Sequence, residues 1–154
     1  MVTSAGLLLY RVVDAGAVEV LLGHMGGPLW ARKEERAWTI PKGEVGPDED
    51  AHDAAVREFT EELGSAPPDG PEVDLGEVRQ RAGKRVRAWG RRADFDASTA
   101  SSNTFEMEWP PRSGRTATFP ELDRAAWVPL ARARDLVVAG QVGLLDRLEE
   151  SLAR

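Results

Sequence analysis

The segment from residue 43 to residue 64 constrains the fold of this chain most, because an acid-rich stretch with helical spacing lies there between two glycines. It holds eight carboxylate side chains and one arginine. If residues 50–63 form a helix, Glu58, Glu61 and Glu62 stand at i, i+3 and i+4 and share one face. Like charges at this spacing repel by about 0.2–0.5 kcal/mol per pair, and a bound cation would relieve them. The segment therefore predicts a helix that carries a divalent-metal site.

Start and stop signals flank this predicted helix. Pro47 and Asp48, followed by Glu49 and Asp50, place acidic residues in the first turn, where the helix dipole favours negative charge. Gly64 follows the last periodic residue, which is a common position for a C-cap. The face predicted to be buried consists of Ala51, Ala55, Phe59 and Leu63.

Length and composition predict one globular domain over residues 1–154, with 42% hydrophobic and 30% charged residues. The net charge of -6 argues against general attraction to nucleic acid or to membranes. The chain has no cysteine, which excludes disulfides and thiolate metal sites and fits a reducing compartment. The apolar run 5–9 lacks a preceding basic segment, and no stretch reaches the roughly 18 apolar residues of a membrane span. We therefore expect a cytoplasmic protein.

Strand and helix patterns alternate along the chain. Two apolar, β-branched runs flank Asp14–Gly16 and read as a hairpin. A second hairpin is predicted about a turn at residues 82–84. Strands are predicted over residues 6–13, 18–23, 38–40, 73–81, 85–95, 105–109 and 125–128. The tail from Leu130 ends in apolar residues at helical spacing, which predicts a C-terminal helix.

The acidic segment resembles the Nudix box, whose pattern is Gly, five residues, Glu, seven residues, then Arg-Glu-apolar-x-Glu-Glu-x-Gly-apolar. The chain departs from the pattern only at Ser65, where the family has an apolar residue. The resemblance implies the family's α/β/α sandwich over nearly the whole chain, with a mixed central sheet, a catalytic helix at about 50–63 and a C-terminal helix. The matching residues are Gly43, Glu49, Arg57, Glu58, Phe59, Glu61, Glu62 and Gly64.

The resemblance also implies a reaction, in which water attacks a diphosphate that links a nucleoside to another group, assisted by Mg²⁺ or, alternatively, Mn²⁺. A diphosphate carries dense charge on hard oxygens, which carboxylate-bound Mg²⁺ can neutralise. By the same resemblance, Arg57 is expected to pair with Glu49 and to support the catalytic helix. The expected metal-binding or water-orienting groups are Glu58, Glu61, Glu62 and the carbonyl of Gly43.

A general base or a further metal ligand is expected outside the box. Glu121 precedes Trp127 at a spacing that resembles the acidic loop residue of several Nudix enzymes. Glu106 and Glu108 alternate on the predicted strand 105–109 and compete for this role. The alternative is that all three are solvated surface acids.

Two groups of residues are candidates for substrate contacts near the box. Lys42 directly precedes the box and is expected to reach a phosphate. Trp30 is a candidate stacking platform for a base, and Trp38 is a weaker one. Tryptophan is more often part of the core, which is the alternative for both.

The second predicted hairpin is rich in arginine. If it turns at residues 82–84, Arg81 faces Arg85 and Arg79 faces Arg87. Directly opposed like charges destabilise a sheet, so this face would suit an anion such as a substrate phosphate. The alternative is a solvated outer face, because repulsion at a surface is weak at physiological salt.

Subgroup features favour a nucleoside or dinucleoside polyphosphate as the substrate. The run Trp38-Thr-Ile-Pro-Lys-Gly-Glu44 resembles the one before the box in dinucleoside and diphosphoinositol polyphosphate hydrolases. The proline of ADP-ribose hydrolases, the tyrosine of many dinucleoside polyphosphate hydrolases and the NADH pyrophosphatase signature are absent. The alternatives are a housecleaning hydrolase of damaged nucleoside triphosphates, a non-catalytic nucleotide sensor and an RNA-decapping enzyme. Dimers are common in the family, so the resemblance leaves both a monomer and a homodimer open.

Overall fold

The first strand has apolar side chains on both of its faces, and this divides the molecule into layers. The computed structural model describes residues 3–154. In β1 (Thr3–Val12), Leu7 and Leu9 point to one face of the sheet, while Leu8 and Tyr10 point to the other. All four are buried. Because successive side chains of a strand point to opposite faces, such a strand needs cover on both sides.

A mixed seven-stranded sheet surrounds β1. The other strands of this sheet are β2 (Val18–Met25), β3 (Trp38–Thr39), β4 (Lys42–Glu44), β5 (Glu72–Arg79), β6 (Arg85–Arg92) and β9 (Leu122–Pro129). The strand order is β3-β2-β1-β6-β5, with β4 paired to β1 and β9 paired to β2. The pairing of β1 with β6 is parallel, and the other pairings are antiparallel. Strands β7 (Thr104–Glu108) and β8 (Thr116–Pro120) form a separate two-stranded hairpin.

Helices cover both faces of the sheet. α1 (Ala51–Leu63) packs on the face that carries Leu7 and Leu9, whereas α2 (Leu130–Leu136) and α3 (Val142–Leu152) pack on the opposite face. The predicted α/β/α sandwich with a mixed sheet and a C-terminal helix is confirmed. In the part of the chain that the structure describes, every helix is too short or too polar to span a membrane.

The ends of α1 follow from its capping residues. The side chain of Asp50 accepts a hydrogen bond from the backbone N–H of Asp53 at 3.2 Å, so the helix begins one residue later than predicted. Gly64 ends the helix with φ 82°, a left-handed conformation that favours glycine. Ala54 is fully buried, whereas Ala51 lies at the edge of the core and is only half-buried. The predicted buried face is therefore rotated slightly.

Several strand bounds differ from the predictions. β5 and β6 end at Arg79 and Arg92, before the predicted ends, and β9 begins at residue 122 rather than 125. β8 was not predicted as a strand. Among the described strands it pairs only with β7, outside the main sheet. Its sequence has no continuous apolar run that would indicate a buried strand. These differences leave the layer order unchanged but alter the geometry of the second hairpin.

Candidate functional site

A cavity of about 440 Å³ opens where the C-terminal half of α1 faces β4. The three glutamates of α1 line it together, as their helical spacing predicts. The side chain of Glu58 is 13% exposed and that of Glu61 is 43% exposed, so they lie at different depths. The cavity is lined by Ser4, Lys42, Gly43, Glu44, Glu58, Glu61, Glu62, Lys84, Asn103 and Glu121.

Gly43 lies directly against the carboxyl group of Glu58. A Cβ atom at position 43 would lie 2.0 Å from the carboxyl carbon and 2.2 and 2.3 Å from its oxygens. Any side chain there would push the carboxylate out of place. The absence of a side chain therefore brings the backbone of β4 and a carboxylate of α1 together at the cavity.

Arg57 joins the loop before α1 to the helix. Its Nε donates to Glu49 at 2.8 Å, and its Nη2 donates to the second carboxylate oxygen at 2.9 Å. The predicted pair of Arg57 with Glu49 is confirmed, and it lowers the pKa of the Glu49 carboxyl to about 2. Nη2 also donates to the carbonyl of Glu44 at 3.0 Å. A two-point contact of this kind fixes orientation as well as charge.

The same guanidinium also contacts the acidic face of α1. Nη1 of Arg57 donates to Glu58 at 2.9 Å and to Glu61 at 3.2 Å. One arginine therefore offsets part of the charge of three glutamates, including Glu49. Glu62 has no such contact with Arg57 in the described structure.

Burial makes the charged forms in the cavity unfavourable. It raises the pKa of Glu62 to about 8, with a further contribution from Glu58, although Lys42 opposes this rise. Burial also raises the pKa of Glu58, against the hydrogen bond from Arg57. It lowers the pKa of Lys42. The cavity therefore holds carboxylates that a cation would stabilise in their ionised form.

The donors fit a divalent cation that is only partly coordinated by the protein. Within residues 3–154, no three Asp, Glu or His side chains are arranged to hold a metal by themselves. Mg²⁺ is usually bound by one or two carboxylates together with waters and substrate phosphates. The half-buried Glu58 and Glu62, next to the backbone of Gly43, suit such a site. The residues therefore fit a hard cation that arrives with its ligand.

A second, smaller cavity of about 190 Å³ adjoins the first. The two share Lys42, Glu62 and Glu121. The remaining lining of the smaller cavity combines apolar side chains with polar side chains that lie far apart in the sequence. It consists of Met25, Thr39, Gln80, Leu122, Val138 and Gln141.

Glu121 is the only one of the three candidate acids outside the box that lines either cavity. It lies between β8 and β9, where its backbone N–H donates to the carbonyl of Asn103 at 2.9 Å. Glu106 and Glu108 are exposed on β7. Glu108 accepts hydrogen bonds from the backbone N–H groups of Arg112 and Gly114, both at 3.1 Å, and so stabilises the β7–β8 turn. The geometry favours Glu121.

The predicted register of the arginine-rich hairpin, formed by β5 and β6, was wrong. The N–H of Gln80 donates to the carbonyl of Lys84 at 2.7 Å, so the turn is centred one residue earlier than expected. The facing pairs are Arg79 with Arg85 and Glu77 with Arg87, rather than Arg81 with Arg85 and Arg79 with Arg87. One like-charge pair remains, and the other becomes a pair of opposite charges.

This register places the basic side chains differently around the site. Arg87 pairs with Asp74 at 2.5 Å, and neither Arg87 nor Arg79 lines either cavity. Lys84 lines the larger cavity and Gln80 lines the smaller one. The sequence offered no local motif for these two residues, because their place depends on the position of the turn.

Of the three remaining candidates, only Lys42 lies at the site. It lines both cavities. Trp30 packs against the core beneath α2 and α3, with the Lys33 ammonium 5.4 Å from its ring centroid, and lines neither cavity. Trp38 is 4% exposed and belongs to the same core, as the alternative interpretation expected.

Comparison with known proteins gives both sequence and structural relatives. A family model described as NUDIX domain matches residues 4–148. An asymmetrical bis(5'-nucleosyl)-tetraphosphatase from Caenorhabditis elegans is 45% identical over 62 residues, which cover 40% of each chain. An RNA pyrophosphohydrolase from Pseudomonas putida is 44% identical over 46 residues, which cover 29% of each chain. The match spans less than half the length of these curated relatives.

Solved structures extend the similarity over the whole chain. The binary complex of the Caenorhabditis elegans Ap4A hydrolase has a TM-score of 0.69 at 25% identity and covers 99% of this chain and 98% of that one. The NUDIX domain of Shewanella oneidensis NrtR, complexed with ADP ribose, has a TM-score of 0.66 at 17% identity and covers 99% and 88%, which shows a common fold alone. Since the family model spans nearly all of the sequence, and the acidic helix carries the box at the cavity, this chain belongs to the Nudix family.

Proposed function

We propose that this protein is a metal-dependent hydrolase that cleaves a diphosphate linkage in a nucleoside or dinucleoside polyphosphate. The observation that carries the proposal is the convergence of Glu58, Glu61 and Glu62 with Gly43 at one cavity. Two of these carboxylates have raised pKa values because they are buried, so they favour a cationic ligand. A polyphosphate that brings Mg²⁺ supplies such a ligand.

Glu58, Glu62 and the carbonyl of Gly43 would hold Mg²⁺, or Mn²⁺ in its place, and the more exposed Glu61 would add negative charge to the same cavity. When bound, the cation supplies charge neutralisation for the phosphate oxygens and activation of water. Glu121 lines both cavities, and we propose that its carboxylate accepts the proton of the attacking water.

Two lysines supply positive charge for the phosphates of the substrate. Lys42 lines both cavities and Lys84 lines the larger one, so each can donate to a phosphate oxygen from the β-sheet side. Arg79 and Arg87 lie outside these linings, so we assign the phosphate contact of the hairpin to Lys84. The substrate then lies between an acidic helix that holds the cation and a basic rim that holds the anion.

The similarity to a tetraphosphatase supports the choice of substrate class. The Caenorhabditis elegans relative acts, by its name, on a bis(5'-nucleosyl) tetraphosphate. A cavity for phosphates with a smaller one beside it suits a nucleotide with several phosphates. The complete set of box glutamates argues for catalysis rather than for nucleotide sensing alone.

The test is chromatography of the products formed from a panel of substrates with Mg²⁺ or with Mn²⁺. The panel contains diadenosine polyphosphates, canonical and oxidised triphosphates, ADP-ribose, NADH, a diphosphoinositol polyphosphate and 5'-triphosphorylated RNA. We expect metal-dependent cleavage of a nucleoside or dinucleoside polyphosphate, and its loss in Glu62→Gln. Glu106→Gln is the control, because it removes an equal charge from an exposed residue that lines neither cavity. Binding without cleavage of any compound would contradict the proposal and favour a sensor.

Arg57→Ala should lower both the rate and the stability. The change frees Glu49 from its two-point contact and leaves Glu58 and Glu61 without their shared cation. We expect kcat to fall about 10–100-fold, as for other residues that orient metal ligands, together with a lower melting temperature. Steady-state kinetics and thermal unfolding measure the two effects. Arg57→Lys keeps the charge but not the two-point geometry, so it should recover only part of the rate. A wild-type kcat in Arg57→Ala would contradict the supporting role.

Without metal, the protein should lose stability as the pH rises from about 4.5 to about 8. The pKa of Glu62 rises from 4.5 to about 8 on folding, so the folded state binds more protons than the unfolded state in this window. The free energy of unfolding therefore decreases with rising pH. Urea unfolding in a chelator at several pH values measures the slope.

Glu62→Gln isolates this contribution, because glutamine cannot titrate. Its free energy of unfolding, relative to wild type, should increase steadily across the same window. Glu106→Gln should follow the wild-type curve. A difference between Glu62→Gln and wild type that does not change with pH would show that Glu62 is not the group responsible.

A further inference from the structure

A chain of hydrogen bonds leads from the backbone of the core to the lining of the smaller cavity. Gln141, which is fully buried just before α3, accepts from the N–H of Ile40 at 3.0 Å. Its Nε2 donates to Oγ1 of Thr39 at 2.9 Å and to Oε1 of Gln80 at 3.0 Å. Thr39 in turn donates its hydroxyl proton to the carbonyl of Ile40 at 2.9 Å. Thr39, Gln80 and Gln141 all line the smaller cavity.

These contacts fix which way each amide group points. A backbone N–H can only donate, so the atom of Gln141 that faces Ile40 must be its oxygen. The amide nitrogen of Gln141 must then face Gln80, which has to present its own oxygen to it. The two N–H groups of Gln80 Nε2 remain, and among the described residues no acceptor contacts them. Gln80 thus brings hydrogen-bond donors to the cavity.

Close packing holds the backbone of Gln80 in this position. A Cβ atom on Gly140 would lie 2.8 Å from Cα and 2.9 Å from Cγ of Gln80, and 3.0 Å from the carbonyl oxygen of Arg79. The turn before α3 therefore presses directly on the end of β5. The side chain is positioned by the fold, which favours a recognition role over that of a mobile surface amide.

Lys42, Glu62 and Glu121 are shared with the larger cavity, and the other lining residues outside the hydrogen-bond network are apolar. Met25, Leu122 and Val138 supply apolar walls, and the volume of about 190 Å³ lies below the roughly 300–1,000 Å³ of sites for whole drug-sized ligands. One ring system fits such a space better than a complete nucleotide. Lys42 belongs to both linings, so a ring in the smaller cavity would place its attached phosphates in the larger one.

We propose that Gln80 is a specificity-determining residue that donates a hydrogen bond to a carbonyl oxygen on the edge of the substrate's base. This inference rests on the proposed function. It narrows the substrate class to nucleoside or dinucleoside polyphosphates whose base carries an oxo group. An exocyclic amino group at the same place would face two donors, and neither could be satisfied. Inosine should therefore be preferred to adenosine, and uridine to cytidine, since each pair exchanges an oxo group for an amino group.

The experiment compares kcat/KM for these two pairs, as triphosphates and as dinucleoside tetraphosphates. Wild type should prefer the oxo member about tenfold. Gln80→Ala should bring both ratios close to one, because the donor is removed. Gln80→Glu should reverse them, since one carboxylate oxygen can still accept from Gln141 while the other accepts from an amino group. Calorimetric binding of the four nucleoside monophosphates without metal should follow the same order.

Arg81→Ser is the matched control. It changes the charge by the same amount as Gln80→Glu and lies in the exposed turn of the same hairpin, so the ratios should stay at their wild-type values. Turnover of all substrates with wild-type ratios near one would overturn this inference and leave the proposed function standing. If nothing is turned over, the proposed function fails, and equal binding of the four monophosphates would then overturn the inference as well.

Discussion

Replacing Glu62 by glutamine is expected to lower kcat by at least about a hundredfold while the protein stays folded. The substitution keeps the shape of the side chain but removes the charge of a carboxylate in the wall shared by both cavities. That carboxylate has a pKa raised to about 8 by burial, so its ionised form gains much from a neighbouring cation. Steady-state kinetics over a range of metal concentrations measures the loss.

Two further variants sharpen this prediction. Glu61→Gln should cost less, because the Glu61 side chain is 43% exposed and already pairs with Arg57. Glu106→Gln should leave kcat unchanged, since Glu106 lies on the separate hairpin away from both cavities. A near-normal kcat for Glu62→Gln at low metal concentration would contradict the assignment of this residue to the metal site.

Phe59→Ala is expected to reduce the free energy of unfolding by about 3–5 kcal/mol. Phe59 is fully buried in the layer between α1 and the sheet. Its ring packs edge-on against that of Phe95, with 5.4 Å between the ring centroids. Truncation removes both the buried area and the aromatic contact, and the close-packed helix cannot collapse into the space left behind. For a chain of this length the melting temperature should fall by about 10 °C.

Equilibrium unfolding in urea measures this loss directly, and calorimetry gives the melting temperature. Phe105→Ala is the control, because Phe105 is only partly buried on the separate β7–β8 hairpin and should cost clearly less. A loss below about 1 kcal/mol for Phe59→Ala would mean that the helix does not depend on this side chain for its packing.

Local signals were enough to predict the helix that carries the acidic residues. Asp50 and Gly64 mark its ends within one residue, and a spacing of three and four residues places the glutamates on one face. The pair of Arg57 with Glu49 could also be predicted, since the two residues belong to one loop-and-helix segment. Contacts between residues close in sequence determine these features, and the spacing of the Nudix box indicates the same helix and the same ion pair.

The rest of the site depends on contacts between distant parts of the chain. Lys84 and Gln80 reach the cavities because the hairpin turns one residue earlier than its composition suggested. Asn103, in the loop before β7, lines the larger cavity, and Gln141, in the segment before α3, lines the smaller one. Neither residue belongs to a motif or a periodic pattern that would indicate a position at the site. Only the three-dimensional packing determines such neighbours.

The parallel pairing of β1 with β6 has a consequence for synthesis on the ribosome. β1 is the central strand and buries residues 5–10, yet one of its neighbours lies at residues 85–92. A nascent chain that has emerged only as far as α1 therefore exposes an open edge of this strand, which is a template for aggregation. We expect chains arrested before residue 85 to depend on chaperones more strongly than the chain of 154 residues does, because they lack both this partner strand and the helices that cover the sheet.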